Sequence, residues 1–159
     1  MRYTNRLACH NKVALHASGV TVTNYGLISG DRHGITTDEG ATLTNYGTVI
    51  GRNGSGFGSD VDGTVINHGT LTGAFSGLQP DSDGDGVDID KIAHIENYGV
   101  IQGVGAGGVD KNGFANGSEG IASYGKLDGE HGSNGLTQRT KGTVLGADWL
   151  RPGQGSLER

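Results

Sequence analysis

A nine-residue pattern recurs along the chain and constrains its fold more than any other feature. The copies occupy residues 22–30, 43–51, 65–73, 95–103 and, in weaker form, 121–129. Every copy has an aliphatic residue at positions one and seven and glycine at positions five and nine. Position three is asparagine in the first four copies and Ser123 in the last. Periodic self-similarity of this kind indicates a repeat protein in which each unit stacks on its neighbours.

The recurring positions form columns that can be interpreted physically. Apolar residues that alternate with polar ones mark a strand with one buried face, so positions one and seven point inward. The Asn-Tyr-Gly step interrupts the alternation and predicts a tight bend, where glycine supplies a positive φ. Asparagines at equivalent bends are expected to stack into a ladder of amide hydrogen bonds. The columns of the first four copies are Val22, Asn24, Gly26, Ile28, Gly30, Leu43, Asn45, Gly47, Val49, Gly51, Val65, Asn67, Gly69, Leu71, Gly73, Ile95, Asn97, Gly99, Ile101 and Gly103.

The spacing of the copies predicts the fold class. Residues at position four lie 21, 22, 30 and 26 residues apart, and the first two intervals match one coil of a parallel β-solenoid. The longer intervals predict insertions around residues 81–90 and 105–116. We therefore predict an all-β chain that forms a right-handed parallel β-helix, a single-stranded solenoid of about five coils with frayed termini.

The pattern divides the chain into three parts. Residues 18–130 form the predicted β-helix repeats, residues 1–17 carry no motif, and residues 131–159 form an irregular or degenerate tail in which 142–146 faintly echoes the pattern. Glycine supplies 32 residues, while hydrophobic residues make up 33% of the chain. That composition is too poor in apolar side chains for a thick globular core and suits thin layers that each bury a few aliphatics.

Charge and hydropathy exclude two classes of partner. The chain has 12 basic and 17 acidic residues and a net charge of −5. No basic stripe is present to neutralise phosphates, so nucleic-acid binding is not expected. No segment approaches the roughly 18–20 apolar residues that cross a bilayer as a helix, so membrane insertion by this segment is not expected. Cys9 is the only cysteine, which excludes a disulfide within the chain.

The aspartate-rich segment 81–90 is the sharpest candidate for ligand chemistry. Carboxylates at alternate positions and glycine at the sixth resemble the start of an EF-hand calcium loop. The twelfth position is Ile92 rather than a chelating glutamate, and calcium-binding nonapeptide repeats need successive copies where this chain has one. The alternatives are weak Ca²⁺ binding and a solvated turn leading into a strand with Val87 and Ile89 inward. The candidate ligands are Asp81, Asp83, Asp85 and Asp88, and no other cofactor is expected.

A polysaccharide-active enzyme, either a lyase or a glycosidase, is the rival functional class, because such enzymes also use β-helices. They need carboxylates clustered on one face of neighbouring coils. The aspartates available outside the motif occupy no repeated column; they are Asp31, Asp38, Asp60, Asp62 and Asp110. The six histidines are assigned to the surface, since none has a second metal ligand at suitable spacing. We therefore predict no catalytic residues and no enzymatic activity.

The tyrosines at position four form a predicted aromatic stripe along the rod. They are Tyr25, Tyr46, Tyr98 and Tyr124, with His68 in the third copy. One interpretation is a surface that contacts glycans or a protein partner. The other, which we favour, is a stack of rings that supports the turn.

The Asn-Tyr-Gly-x-Ile-x-Gly repeats resemble the passenger region of type V autotransporters of Gram-negative bacteria. Segments 83–90 and 116–122 are similar to stretches that lie between motifs in such passengers, and the resemblance covers about 20–129. It implies a pectin-lyase-like parallel β-helix that a C-terminal outer-membrane β-barrel exports and displays at the cell surface. Neither that barrel nor an export signal is present in this sequence, so the chain is expected to be a fragment of a longer passenger.

The resemblance also implies a function and partners. A passenger segment acts as a stalk, and it adheres to a host surface, a glycan or sibling cells. Its immediate partners are the neighbouring coils of the longer passenger. The alternatives that the residues leave open are a fragment of a polysaccharide-active enzyme and a Ca²⁺-binding repeat module.

Overall fold

The computed structural model describes residues 2–5, 8–11, 15–16, 18–76, 84–109, 115–123, 137–140 and 143–145. All regular secondary structure within these ranges is β-strand. The strands are β1 (Arg2–Asn5), β2 (Ala8–Asn11), β3 (Leu15–His16), β4 (Val20–Asn24), β5 (Leu27–Gly30), β6 (Ile35–Thr37), β7 (Ala41–Asn45), β8 (Thr48–Gly51), β9 (Phe57–Ser59), β10 (Gly63–Asn67), β11 (Thr70–Ala74), β12 (Val87–Ile89), β13 (Ala93–Asn97), β14 (Val100–Val104), β15 (Ala106–Val109), β16 (Ala115–Gly117), β17 (Ile121–Ser123), β18 (Thr137–Thr140) and β19 (Thr143–Leu145).

Three parallel sheets run along the molecule, and the chain visits them in turn. Sheet 1 has the order β1-β4-β7-β10-β13-β18, sheet 2 the order β2-β5-β8-β11-β14-β19, and sheet 3 the order β3-β6-β9-β12-β17. Each strand pairs with the equivalent strand one coil away, and all of these pairs are parallel. The predicted all-β parallel β-helix is confirmed.

Pairing between coils is in register with the repeat. On sheet 1, Asn24 lies opposite Asn45, Asn45 opposite Asn67, and Asn67 opposite Asn97. On sheet 2, position seven pairs with position seven, as where Leu71 lies between Val49 and Ile101. Because paired strands align equivalent residues, each column of the repeat runs parallel to the axis of the solenoid.

The core lies between the three sheets, and each of the strands from β4 to β14, together with β17, contributes one or two buried apolar side chains to it. Its buried members are Val20, Val22, Ile28, Ile35, Leu43, Val49, Phe57, Val65, Leu71, Val87, Ile89, Ala93, Ile95, Ile101 and Ile121. Among the described residues, Phe57 is the largest side chain that is fully buried. Sheet 3, which supplies Ile35, Phe57, Val87 and Ile121, was not identified from the repeat. The coil therefore has three strands, where the repeated motif accounts for two.

The fifth copy of the repeat was assigned wrongly. Residues Ile121–Ser123 form β17, which pairs with β12 on sheet 3, so Ser123 lies opposite Ile89 and not in the asparagine column. The strand that follows β13 on sheet 1 is β18, where Thr140 lies opposite Asn97. A short strand with an apolar residue first has the same local pattern on either sheet, and only the pairing distinguishes them.

The sheets also extend beyond residues 18–130. In the N-terminal segment, β1 pairs with β4 and places Asn5 opposite Asn24. In the C-terminal segment, β19 pairs with β14 and places Val144 opposite Ile101. Segments that lack the full motif therefore still contribute strands to the solenoid.

The two expected insertions lie between strands of sheet 2 and strands of sheet 3. Strands β15 and β16 form an antiparallel pair within the second expected insertion. Within the first expected insertion, 81–90, Val87 and Ile89 belong to β12 and both are buried, as expected for a strand with these side chains inward. Residues 77–83 lie outside the described ranges.

Glycine occupies position five for a reason other than the positive φ expected from the sequence. Among the described residues, positive φ occurs at Gly19, Gly40 and Gly105, none of which is in this column. At Gly69, a Cβ would overlap with the carbonyl oxygen of Gly47 in the preceding coil. The same collision would occur at Gly47 and Gly99. Close approach of neighbouring backbones, rather than a left-handed bend, excludes a side chain here.

Substitution of Gly69 tests this explanation. We expect Gly69→Ala to lower the free energy of unfolding by about 3 kcal/mol, because the added methyl group meets rigid backbone. Chemical denaturation followed by circular dichroism would measure the loss. Gly58→Ala is the control, since the nearest atom to its added Cβ is Thr36 Oγ1 at 3.7 Å, and we expect a change within about 0.5 kcal/mol. Equal losses in the two variants would contradict the explanation.

Candidate functional site

Three turns connect the sheets, and the candidate functional residues lie on them. Turn 1 joins sheet 1 to sheet 2 and contains the Asn-Tyr-Gly step. Turn 2 joins sheet 2 to sheet 3 and ends at Gly34, Gly56, Gly86 and Gly120. Turn 3 joins sheet 3 to sheet 1 and begins at Asp38, Asp60 and Asp90.

The asparagines of turn 1 form a continuous ladder of side-chain amides. Asn5 Nδ2 donates to Asn24 Oδ1 at 2.9 Å, and the three links from Asn24 through Asn45 and Asn67 to Asn97 are each 2.8 Å. All five side chains are buried. An amide carries both a donor and an acceptor, so identical amides bond to one another in a column. The ladder has the form expected from the sequence.

Each amide from Asn24 to Asn97 is also bonded to the backbone of its own turn and of the next coil. Asn45 Oδ1 accepts the N–H of Gly47 at 3.2 Å, while Asn45 Nδ2 donates to the carbonyl oxygens of Gly47 and Thr70, both at 3.1 Å. The same three contacts occur around Asn24 and Asn67. These bonds satisfy the buried amides and fix the conformation of turn 1.

Removal of one amide should destabilise two neighbouring coils. Asn67→Ala leaves Asn45 Nδ2 without its side-chain acceptor and Asn97 Oδ1 without its side-chain donor. We expect it to lower the free energy of unfolding by about 3 kcal/mol in urea denaturation, because buried polar groups lose their partners. Thr64→Ala, on the outer face of the same strand, is the control and should cost less than about 1 kcal/mol. A comparable loss in both variants would argue against the ladder as a source of stability.

The aromatic residues of turn 1 form a second column outside the ladder. Tyr25 and Tyr46 stack with ring centroids 5.0 Å apart, and the Tyr46–His68 and His68–Tyr98 spacings are both 4.8 Å. The interplanar angles are 5° to 8°. Tyr46 and His68 therefore have neighbours on both ring faces, and the column presents ring edges to solvent. The rings stack, as the favoured interpretation of the stripe expects. Tyr124 lies outside the described residues.

The candidate calcium ligands are divided between turn 2 and sheet 3. Asp85 is buried on turn 2, where its Oδ1 accepts the N–H of Glu119 at 2.7 Å. Asp88 lies on β12, opposite Gly58 and Ala122. Asp81 and Asp83 lie outside the described residues. Within the described ranges, no group of three or more His, Cys, Asp or Glu side chains is arranged to hold a metal ion.

The contact of Asp85 predicts a structural effect that does not depend on calcium. We expect Asp85→Ala to lower the free energy of unfolding by about 2 kcal/mol, because the N–H of Glu119 loses a charged acceptor. The loss should be the same in EDTA and in excess CaCl₂. Asp31→Ala, at an exposed position of turn 2, is the control. If the loss were larger with CaCl₂ than with EDTA, Asp85 would be a calcium ligand.

Among the histidines that the structure describes, His33 lies on turn 2 and makes a partly buried hydrogen bond. Its Nδ1 accepts the N–H of Ser55 at 3.1 Å. Burial lowers the pKa of His33 from 6.5 to about 4, and Arg32 acts in the same direction, while Asp60 opposes them. The expected surface position is therefore wrong for His33, whereas His94 is exposed.

The lowered pKa of His33 predicts a pH-dependent stability. The folded state favours neutral imidazole, so its contribution is complete above pH 6.5 and is lost as the pH falls from 6.5 to about 4. The loss should reach at most about 3 kcal/mol. His33→Asn keeps an acceptor near the position of Nδ1 but does not titrate, so this part of the pH slope in urea denaturation should vanish. His94→Asn should retain this pH dependence. If the pH dependence disappeared in His94→Asn, its assignment to His33 would be contradicted.

The carboxylates of turn 3 do form a repeated column, contrary to the expectation from the sequence. Thr37, Ser59 and Ile89 are paired on sheet 3, so the residues that follow them, Asp38, Asp60 and Asp90, are equivalent. Burial raises the pKa of Asp90, as does the nearby charge of Asp60, while Lys91 lowers it. Asp38 Oδ1 lies 3.0 Å from His16 Nε2 at an exposed position.

The remaining aspartates of the rival enzyme hypothesis are Asp31, Asp62 and Asp110. Asp62 also lies on turn 3, where its Oδ1 accepts the N–H of Ile92 at 3.1 Å. Asp31 lies on turn 2, and Asp110 is outside the described residues. A shallow groove of about 430 Å³ runs beside turn 3 on the outer face of sheet 1, and Thr42, Asp62 and His94 are among its lining residues. Asp38, Asp60 and Asp90 are not among the residues that line this groove.

Comparison of the chain with known protein families, with curated proteins and with solved structures gives no match. Within the described residues, no helix is long and apolar enough to span a membrane.

Proposed function

We propose that this chain is a stalk segment of a secreted bacterial surface protein and that it acts without catalysis. The amide ladder supports this proposal most directly. Each coil from Asn5 to Asn97 satisfies its buried amide through the coils next to it. A structure stabilised by contacts between neighbours grows in length by repetition. Each added coil extends the rod by about 4.8 Å.

The proposed location follows from the resemblance of the repeats to autotransporter passengers. In this proposal the chain is displayed outside the cell and attached through an outer-membrane translocator. Its immediate partners are further coils of a longer passenger. The three sheets support a spacer role, because backbone hydrogen bonds on all of them run along the axis and resist bending.

Adhesion to a host surface, a glycan or sibling cells is the second part of the proposal. The two insertions expected from the sequence fall on turn 2, one between β11 and β12 and the other between β14 and β17, while a third long connection joins β17 to β18 on turn 3. Insertions in repeat proteins commonly gather on the face that binds. Turn 2 is therefore the side of the rod that we assign to adhesion, and the regular turn 1 is assigned to support.

Hydrogen exchange of the full chain tests the stalk. Amides of β4, β7, β10 and β13 should exchange slowly and with a common free energy of opening, because these strands form one cooperative unit. Fast exchange throughout these strands would overturn the proposal. Binding of beads coated with the chain to cells or immobilised glycans would test adhesion separately.

A polysaccharide-active enzyme is the second candidate, and the carboxylate column favours it. Equivalent residues on adjacent strands lie about 4.8 Å apart, close to the separation of about 5–5.5 Å in retaining glycosidases. The raised pKa of Asp90 suits a general acid, and Asp60 would then act as the nucleophile. Release of reducing ends from acidic and neutral polysaccharides, lost in Asp60→Asn and Asp90→Asn, would establish this activity. The stalk proposal expects no release.

A further inference from the structure

The column of stacked rings on turn 1 brings two tyrosines into direct contact with each other and with solvent. Tyr25 and Tyr46 are 52% and 48% exposed, and their parallel rings are 5.0 Å apart. Their backbones belong to adjacent coils that are held together by strand pairing. Two phenols are thus kept side by side where a soluble oxidant can reach both of them.

We propose that Tyr25 and Tyr46 form a site of oxidative cross-linking, at which a peroxidase with hydrogen peroxide joins the two rings into dityrosine. The inference is independent of the stalk proposal, since it needs only the geometry of the column. The product is a covalent bond between neighbouring coils.

The reaction needs one two-electron oxidant. Each phenol gives one electron and its hydroxyl proton to the oxidant and becomes a neutral phenoxyl radical. The radicals couple through the ring carbons next to the oxygens, forming one C–C bond. The hydrogens on those carbons then move to the oxygens, which restores two phenols. One hydrogen peroxide accepts the two electrons and two protons and leaves as two molecules of water.

The column also explains why coupling is confined to one pair. His68 lies between Tyr46 and Tyr98 and stacks on both. The His68 ring therefore separates Tyr98 from Tyr46, the nearest phenol of the column. The hydroxyl of Tyr98 donates to Glu96 Oε2 at 3.1 Å. Tyr3 packs against the core instead of joining the column. Within the described residues, Tyr25 and Tyr46 are the stacked pair in which both members are phenols.

Stacking should increase the yield, because two radicals on one folded chain meet without diffusing together. Held reactants behave as if present at high effective concentration. The outer edges of the rings must tilt towards each other for the bond to form, and the exposure of both rings leaves space for that movement. Once formed, the bond closes a loop through the first two coils and restricts the unfolded chain, which should raise the melting temperature.

Peroxidase treatment of the dilute full chain tests the proposal. Trypsin cleaves after Lys12, Arg32 and Arg52, so the two tyrosines fall in separate peptides, 13–32 and 33–52. Mass spectrometry should find these peptides joined with the loss of two hydrogen atoms, in a chain that remains monomeric. The yield in the folded chain should exceed that in urea by about tenfold. Tyr46→Phe keeps the stack and should abolish the product.

His68→Tyr provides a gain-of-function control. It removes the interruption in the column and should add a linkage between peptide 33–52 and the peptide that contains residue 68. Circular dichroism of each variant before oxidation would establish that the fold is retained. The proposal is overturned if the folded wild-type chain gives no 13–32 to 33–52 linkage, or if the urea-denatured chain gives an equal yield. A product that links Tyr98 as readily as Tyr46 to Tyr25 would overturn it as well.

Discussion

Neighbouring coils are held at the spacing of hydrogen-bonded β-strands, about 4.8 Å, and the rest of the structure depends on this spacing. Register continues through turn 1, where the N–H of Tyr46 donates to the carbonyl oxygen of Asn24 at 2.8 Å and that of Tyr98 to Asn67 at 2.7 Å. Each side chain in these coils therefore lies next to its equivalent in the coil before it. A residue type suits a column when it packs against, or bonds to, a copy of itself.

The columns meet this requirement with different physical results. Amides bond to one another, so Asn45 and Asn67 remain buried without an unsatisfied polar atom. Flat rings stack, and His68 takes the place of a tyrosine because it is also planar. Carboxylates repel, and the charge of Asp60 therefore adds to burial in raising the pKa of Asp90. The amides lie buried at turn 1, whereas the carboxylates lie at exposed positions of turn 3, where water moderates the repulsion.

Turn 2 also leaves no room for side chains where it passes close to the end of the strand before it. A Cβ on Gly73 would overlap with the carbonyl oxygen of Asp85, and one on Gly103 would overlap with that of Glu119. Both glycines are at position nine, just before turn 2 crosses over them. The two insertions expected from the sequence lie in turn 2, between each of these glycines and the residue that it approaches. Strands of successive coils stay paired in register while the lengths of turn 2 and of the connection from β17 to β18 vary.

The sequence by itself determined sheets 1 and 2, because positions one, three, five, seven and nine each obey a strict requirement of packing or hydrogen bonding. It did not reveal sheet 3, since the glycines that precede its strands, Gly34, Gly56, Gly86 and Gly120, are 22, 30 and 34 residues apart. Insertions in turn 2 obscure that period, and Ile121–Ser123 consequently resembled a fifth copy of the motif. Only the tertiary structure decided that Asp85 accepts the N–H of Glu119, that His33 accepts the N–H of Ser55, and that Asp38, Asp60 and Asp90 share a column. Those contacts join residues 22 to 34 positions apart, and the chain brings them together only when its coils stack.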